Sequence, residues 1–124
     1  MNILLDTSVL IWARSDVKRL RLRARQAIQR ADRVVVSVVS GWELAMKESL
    51  GRFALKADLE AGLAESEFDQ LDLSWEHLST FRRLPRLHAD PFDRMLIAQA
   101  HCESLTIVTS DRAFEEYQVP VIWT

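Results

Sequence analysis

Short apolar runs separated by stretches of helical spacing leave this chain few possible architectures. Asn2 to Leu5 is an apolar run ending at Asp6, and Val34 to Val36 is β-branched throughout and ends at Ser37. Both read as strands buried on two faces, which is the signature of a parallel sheet covered by helices. Leu105 to Val108, ending at Thr109, makes a third, with Asp69 to Leu73 and Val119 to Trp123 completing the set. Between them Leu20, Ala24, Ala27, Ile28 and Ala31 form one helical stripe, and Trp42 to Leu50 and Trp75 to Leu84 are also amphipathic. Phe92 to Cys102 is apolar nearly all round, as expected of a helix buried between other elements. The alternation predicts an α/β fold, a three-layer α/β/α sandwich with a central parallel sheet of about five strands. It predicts one domain over residues 1–124, with a short helix from Leu55 to Phe68 at an edge or against a partner. Leu84-Pro85-Arg86-Leu87-His88 breaks the helical pattern and reads as a loop before Asp90-Pro91.

The chain has 124 residues, 48% of them hydrophobic, enough for one core without a covalent staple. Its one cysteine, Cys102, rules out an intramolecular disulfide, and no Cys/His spacing suggests structural zinc. Ile3 to Leu5 is too short for a signal peptide and no run approaches a membrane span, so a soluble, cytoplasmic protein is expected. The net charge of −2 argues against nucleic acid when taken alone. However, eight of the sixteen Lys and Arg residues lie between Arg14 and Arg33, with only Asp16 and Asp32 against them, a local charge of +6. Such a segment suits RNA, an acidic protein partner, or simple solvation.

Acidic residues recur where strands end or helices begin. Asp6 follows the first strand, Glu43 opens the helix after the second, Asp90 and Asp93 open the buried helix, and Asp111 follows the third long run. Each has a plain structural explanation. Asp6 and Asp111 sit at N-cap positions, the latter opening a helix toward Phe114, and Asp90 before Pro91 is a common helix opening. Ser40-Gly41-Trp42-Glu43 matches a capping box, and Glu43 can also pair with Lys47 one turn later. Asp93 differs because it continues a face made by Leu96, Ile97 and Ala100, where a carboxylate needs a partner. Capping does not explain why all these acids fall along the carboxyl edge of one sheet, where open α/β folds bind ligands. Carboxylates crowded there raise one another's pKa and favour a divalent cation.

These residues also carry a resemblance. Leu4-Leu5-Asp6-Thr7, Ser40-Gly41-Trp42-Glu43-Leu44-Ala45 with Lys47, Asp90-Pro91-Phe92-Asp93-Arg94-Met95-Leu96-Ile97-Ala98-Gln99-Ala100, and Val108-Thr109-Ser110-Asp111 with Phe114 resemble the PIN domain family. The likeness is greatest to VapC-like toxins of bacterial type II toxin–antitoxin modules, and it spans nearly the whole chain in order. It implies a Mg²⁺- or Mn²⁺-dependent endoribonuclease, a homodimer held inactive by a cognate antitoxin. Asp6, Glu43, Asp93 and Asp111 match the family's catalytic and metal-binding acids. Thr7 and Thr109 match neighbouring hydroxyl positions, and Asp90 is a cap with a supporting role. Relatives with this first motif often have His after Asp-Thr where this chain has Ser8, so no imidazole is expected beside the first acid.

An acidic cleft repels RNA unless cations surround it, and Lys47, Arg94 and Arg112 each lie within a turn of a proposed ligand. His77, His88 and His101 are scattered without metal-helix spacing and suggest no role, and Trp12, Trp42, Trp75 and Trp123 read as core or interface packing. Trp12 is the one expected at a dimer or antitoxin surface. Two other classes compete: a Mg²⁺-binding phosphoacceptor domain, which would need an acidic pair at the first strand exit, and a non-catalytic interaction module without metal affinity.

Overall fold

The structure, a computed structural model, describes residues 1–52, 54 and 59–124. In chain order the elements are β1 (Asn2–Leu5), α1 (Thr7–Ser15), α2 (Leu22–Arg30), β2 (Arg33–Ser37), α3 (Val38–Ser49) and α4 (Leu59–Glu65). They continue with β3 (Asp69–Leu71), α5 (Trp75–Arg83), α6 (Pro91–Glu103), β4 (Thr106–Thr109) and β5 (Val121–Trp123). Short 3-10 segments at Val17–Arg19 and Arg112–Glu116 join them. The start of the helix expected over 55–68 lies outside the described residues, and α4 covers much of the remainder.

All strand pairs are parallel, in the order β3-β2-β1-β4-β5. The central strands are uniformly apolar because both their faces are covered. Ile3, Leu5, Val34, Val36 and Val108 pack with Val9, Leu10, Leu20 and Ala24 on the face of α1 and α2. Leu4, Val35 and Ile107 pack with Leu96, Ile97 and Ala100 on the α6 face, joined by Phe81 and Leu84. This period-two division makes three layers. The chain builds outward from β1 to β2 and β3, then returns to the other side of β1 to lay down β4 and β5. The order therefore reverses between β1 and β4, and Asp6 and Asp111 follow the carboxyl ends of those two strands.

The start of α3 corrects one expectation. Ser40 and Glu43 do not form a capping box; the helix begins at Val38, and Ser37 is its cap, accepting from the Val39 amide at 3.0 Å. The Ser37 hydroxyl also donates to the amide oxygen of buried Gln99 on α6, whereas the Ser40 hydroxyl is engaged with Thr7 and not with a helix-end amide. Glu43 is thus set into the second turn and faces inward. Ser37→Ala is expected to cost roughly 2–3 kcal/mol, about one for the cap and the rest for an orphaned Gln99 oxygen. A urea midpoint equal to wild type would contradict that double role. A true capping box occurs instead at α5, where Ser74 accepts from the His77 amide and His77 Nδ1 accepts from the Ser74 amide. Gly51 closes α3 at φ +71°, a region glycine enters without strain.

Candidate active site

A cap uses one carboxylate oxygen and leaves the other, so capping does not use up these acids. Asp6 Oδ1 accepts from the Val9 amide at 2.8 Å and caps α1, while Oδ2 takes the Thr109 hydroxyl. Asp111 Oδ1 accepts from the Ala113 amide at 2.9 Å, opening a 3-10 segment and not the helix expected there, and its Oδ2 lies 3.4 Å from His88 Nε2. Asp90 Oδ1 accepts from the Phe92 and Asp93 amides and caps α6, with Pro91 in the first turn. This cap places Asp93 at the third position of α6, facing the site from its first turn.

Two threonines tie the sheet edge together. Thr7 Oγ1 stands 2.6 Å from Glu43 Oε1 and 3.0 Å from Ser40 Oγ, and its single proton goes to the carboxylate. Thr109 donates to Asp6 and accepts the Asp111 amide at 3.0 Å, so one hydroxyl couples the exits of β1 and β4. Glu43 Oε2 meets Lys47 Nζ at 2.9 Å.

The electrostatics show that the acids share one field. Burial raises the Asp6 carboxyl to about 6; bonds from Thr109 and Val9 pull it down, and the charges of Asp111 and Glu43 push it up. Burial likewise raises Asp93 to about 7, followed by repulsion from Asp90, with the His88 hydrogen bond opposing and Glu43 adding to the rise. Glu43 thus acts on both Asp6 and Asp93, and Asp111 acts on Asp6. These charges link the four acids singled out from the sequence, and among the described residues the closest grouping of donor atoms is that of Asp93 and Asp111 with His88. Asp6 and Glu43 are 5% and 6% exposed, whereas the Asp111 side chain is 44% exposed, so the site has a closed floor and an open rim.

His88 was missed. Its Nε2 lies 2.9 Å from Asp93 Oδ2, and donor atoms of His88, Asp93 and Asp111 lie within 4.8 Å of one another. Nothing in its spacing marks it, because the loop is placed by Tyr117, whose hydroxyl accepts the Leu87 and His88 amides and donates to the Pro85 carbonyl. The available signal was its position in the loop that leads into the Asp90 and Asp93 segment.

The expected cations separate. Lys47 is exposed beside Glu43. Arg112 is exposed at the exit of β4, its guanidinium 4.3 Å over the Trp123 ring. Arg94 donates to the Leu84 carbonyl at 3.2 Å and lies over Phe81, fastening α6 to the end of α5. Trp12 is half-buried under Arg19, packed against the α1 and α2 core, while Trp42 and Trp75 are the exposed pair at 59% and 84%.

A family model described as the PIN domain matches residues 3–120. The chain belongs to the PIN domain family. This PIN domain is 31% identical over 138 residues to Ribonuclease VapC22 of Mycobacterium tuberculosis, covering 96% of this chain and 94% of that protein. Among solved structures it is similar to VapBC2 from Rickettsia felis bound to a DNA fragment from their promoter, with a TM-score of 0.74 at 16% identity, covering 100% and 99% of the two chains. It is also similar to a toxin–antitoxin complex from Klebsiella pneumoniae, with a TM-score of 0.67 at 19% identity and coverage of 97% and 95%. At those identities the structural likeness concerns the fold, and the five-stranded parallel sheet of this PIN domain agrees with it.

Proposed function

We propose that this PIN domain is a Mg²⁺- or Mn²⁺-dependent endoribonuclease, the toxin of a toxin–antitoxin pair. The observation that carries this is the convergence of Asp6, Glu43, Asp93 and Asp111 at the reversal point of the sheet, with Asp6 and Asp93 raised far above an ordinary carboxylate. Similarity to a protein named as a ribonuclease supports the chemistry, and similarity to toxin–antitoxin complexes supports the pairing.

The donor set fits a hard divalent cation: carboxylate oxygens in a partly dry site, where burial and the charges of neighbouring acids make Asp6 and Asp93 costly to ionise. Asp6, Glu43 and Asp93 would hold the ion, with Asp111 at the solvent side. When bound, such an ion neutralises charge developing on phosphodiester oxygens and acidifies water. Thr7 and Thr109 fix the orientation of Glu43 and Asp6, so those carboxylates need not reorganise as charge develops. Asp93 and Asp111 line the open rim, where a carboxylate can accept a proton from an attacking water. Lys47 and Arg112, both exposed, would hold the RNA backbone.

Arg112→Glu is expected to weaken RNA binding about tenfold at low salt and to lower the salt slope by about one, the loss of a single phosphate contact. Equal affinity at low salt would remove Arg112 from the substrate path. The antitoxin is read as an acidic segment lying on the cationic stretch 14–33, where Lys18, Arg21, Arg23 and Arg30 are exposed. A homodimer, built with the exposed Trp42 or Trp75, completes the assembly. No helix among the described residues is long and apolar enough to cross a membrane. The function is tested by incubating total cellular RNA with purified protein in Mg²⁺ or Mn²⁺ and in EDTA. Discrete fragments in metal alone are expected, and cleavage that persists in EDTA would overturn the metal-dependent mechanism.

A further inference from the structure

The site contains one nitrogen donor among its oxygens. His88 Nε2 stands 2.9 Å from Asp93 Oδ2 and 3.4 Å from Asp111 Oδ2, and the ring is half-buried edge-on to Phe114. An octahedral ion with bonds of about 2.1 Å places adjacent donor atoms roughly 3 Å apart. His88 Nε2 makes a hydrogen bond to Asp93 and a close approach to Asp111, and the three donor atoms, within 4.8 Å of one another, are near enough to serve one ion.

We propose that His88 is a direct ligand of the metal centre through Nε2, beside Asp93 and Asp111, and that it biases the site toward Mn²⁺ over Mg²⁺. The proposal rests on the metal-dependent reading above and adds a residue outside the four-acid pattern. Its geometry is fixed before any ion arrives. Tyr117, 6% exposed, accepts the Leu87 amide at 3.2 Å and the His88 amide at 3.1 Å, and donates to the Pro85 carbonyl at 2.9 Å. A loop of irregular backbone is thus held at three points by one hydroxyl, and its imidazole is delivered to the rim without further ordering.

The chemistry gives the selectivity. Mg²⁺ takes oxygen ligands almost exclusively, whereas an imidazole donor adds affinity for first-row transition ions, of which Mn²⁺ is the least demanding. Coordination through Nε2 uses the neutral ring with its proton on Nδ1, so the hydrogen bond to Asp93 seen here is exchanged for a shared ion. The other histidines do not compete. His77 is buried, with Nδ1 accepting the Ser74 amide and Nε2 on Glu103, and His101 is exposed near the far end of α6.

The test is pulsed electron paramagnetic resonance of the full chain loaded with Mn²⁺, together with calorimetric titration by Mn²⁺ and by Mg²⁺. Wild type is expected to show nitrogen coupling to bound Mn²⁺. His88→Gln, which keeps a donor for Asp93, is expected to lose the coupling and to bind Mn²⁺ about 10- to 100-fold more weakly, a range seen even when a residue that only supports a ligand is removed. Its Mg²⁺ affinity is expected to stay close to wild type. Wild-type protein that binds Mn²⁺ without nitrogen coupling, or a Mn²⁺/Mg²⁺ ratio unaffected by His88→Gln, would overturn the proposal, and the first of these requires no variant to fold. Nitrogen coupling in a protein that cuts no RNA would uphold this ligand and overturn the ribonuclease function instead. Failure of wild type to bind Mn²⁺ would overturn both.

Discussion

Asp93→Asn is expected to reduce metal-dependent RNA cleavage by about 1,000-fold while leaving the protein folded. A cation acting as a Lewis acid contributes several kcal/mol to such a reaction, and about 1.4 kcal/mol corresponds to a factor of ten in rate. Asp93 faces the cluster from the first turn of α6, and its position is set by the cap at Asp90, which the substitution does not touch. Asparagine also removes a charge that burial and Asp90 make costly. The melting temperature without metal should therefore equal or exceed that of wild type. The measurement is a pair of time courses at saturating Mn²⁺ with a thermal melt of the same samples. Full-rate cleavage by a folded variant would remove Asp93 from the mechanism.

The second large effect is on stability. Asp6 and Asp93 have folded pKa values of about 6 and about 7, against about 3.8 for the ordinary carboxyl. Between about pH 4 and 7 the folded state holds protons that the unfolded chain releases, so stability is fully present at low pH and is lost as pH rises through the folded values. For buried Asp6 alone a shift of about two units is on the order of 3 kcal/mol over the whole range, of which about half is lost between pH 5 and pH 8, a melting temperature lower by roughly 4–7 °C at pH 8 than at pH 5 without metal. Mn²⁺ or Mg²⁺ at pH 8 should restore the loss, since an ion that binds the folded state stabilises it by mass action. The check is differential scanning calorimetry across that pH range with and without metal. Stability that rises toward pH 8 in EDTA would contradict the raised carboxyls.

Much of this molecule can be read from its sequence because its determinants are local. Parallel strands covered on both faces must be apolar throughout, so Ile3 to Leu5, Val34 to Val36 and Ile107 to Val108 announce themselves. The acids at strand exits are visible for the same reason, since the end of an apolar run marks the sheet edge. What escaped was decided by contacts distant in sequence. Ser37 and Ser40 are both plausible caps for α3, and each hydroxyl has a partner far along the chain, Ser37 with Gln99, 62 residues away, and Ser40 with Thr7. The packing of Arg94 over Phe81 and its bond to the Leu84 carbonyl join α6 to the end of α5, a contact its place beside Asp93 does not announce. His88 depends on Tyr117, 29 residues further on, for its position.

The central claim is that the acidic edge between β1 and β4 and the cutting of RNA are one site and one activity. The measurement that tests it most directly is cleavage of a single RNA preparation by wild type and Asp6→Asn in Mn²⁺, since asparagine can keep the oxygen that caps α1 while removing the charge. Discrete fragments from wild type and intact RNA from a folded Asp6→Asn protein are the expected result. Equal cleavage by both would place the activity elsewhere and leave these carboxylates as helix caps.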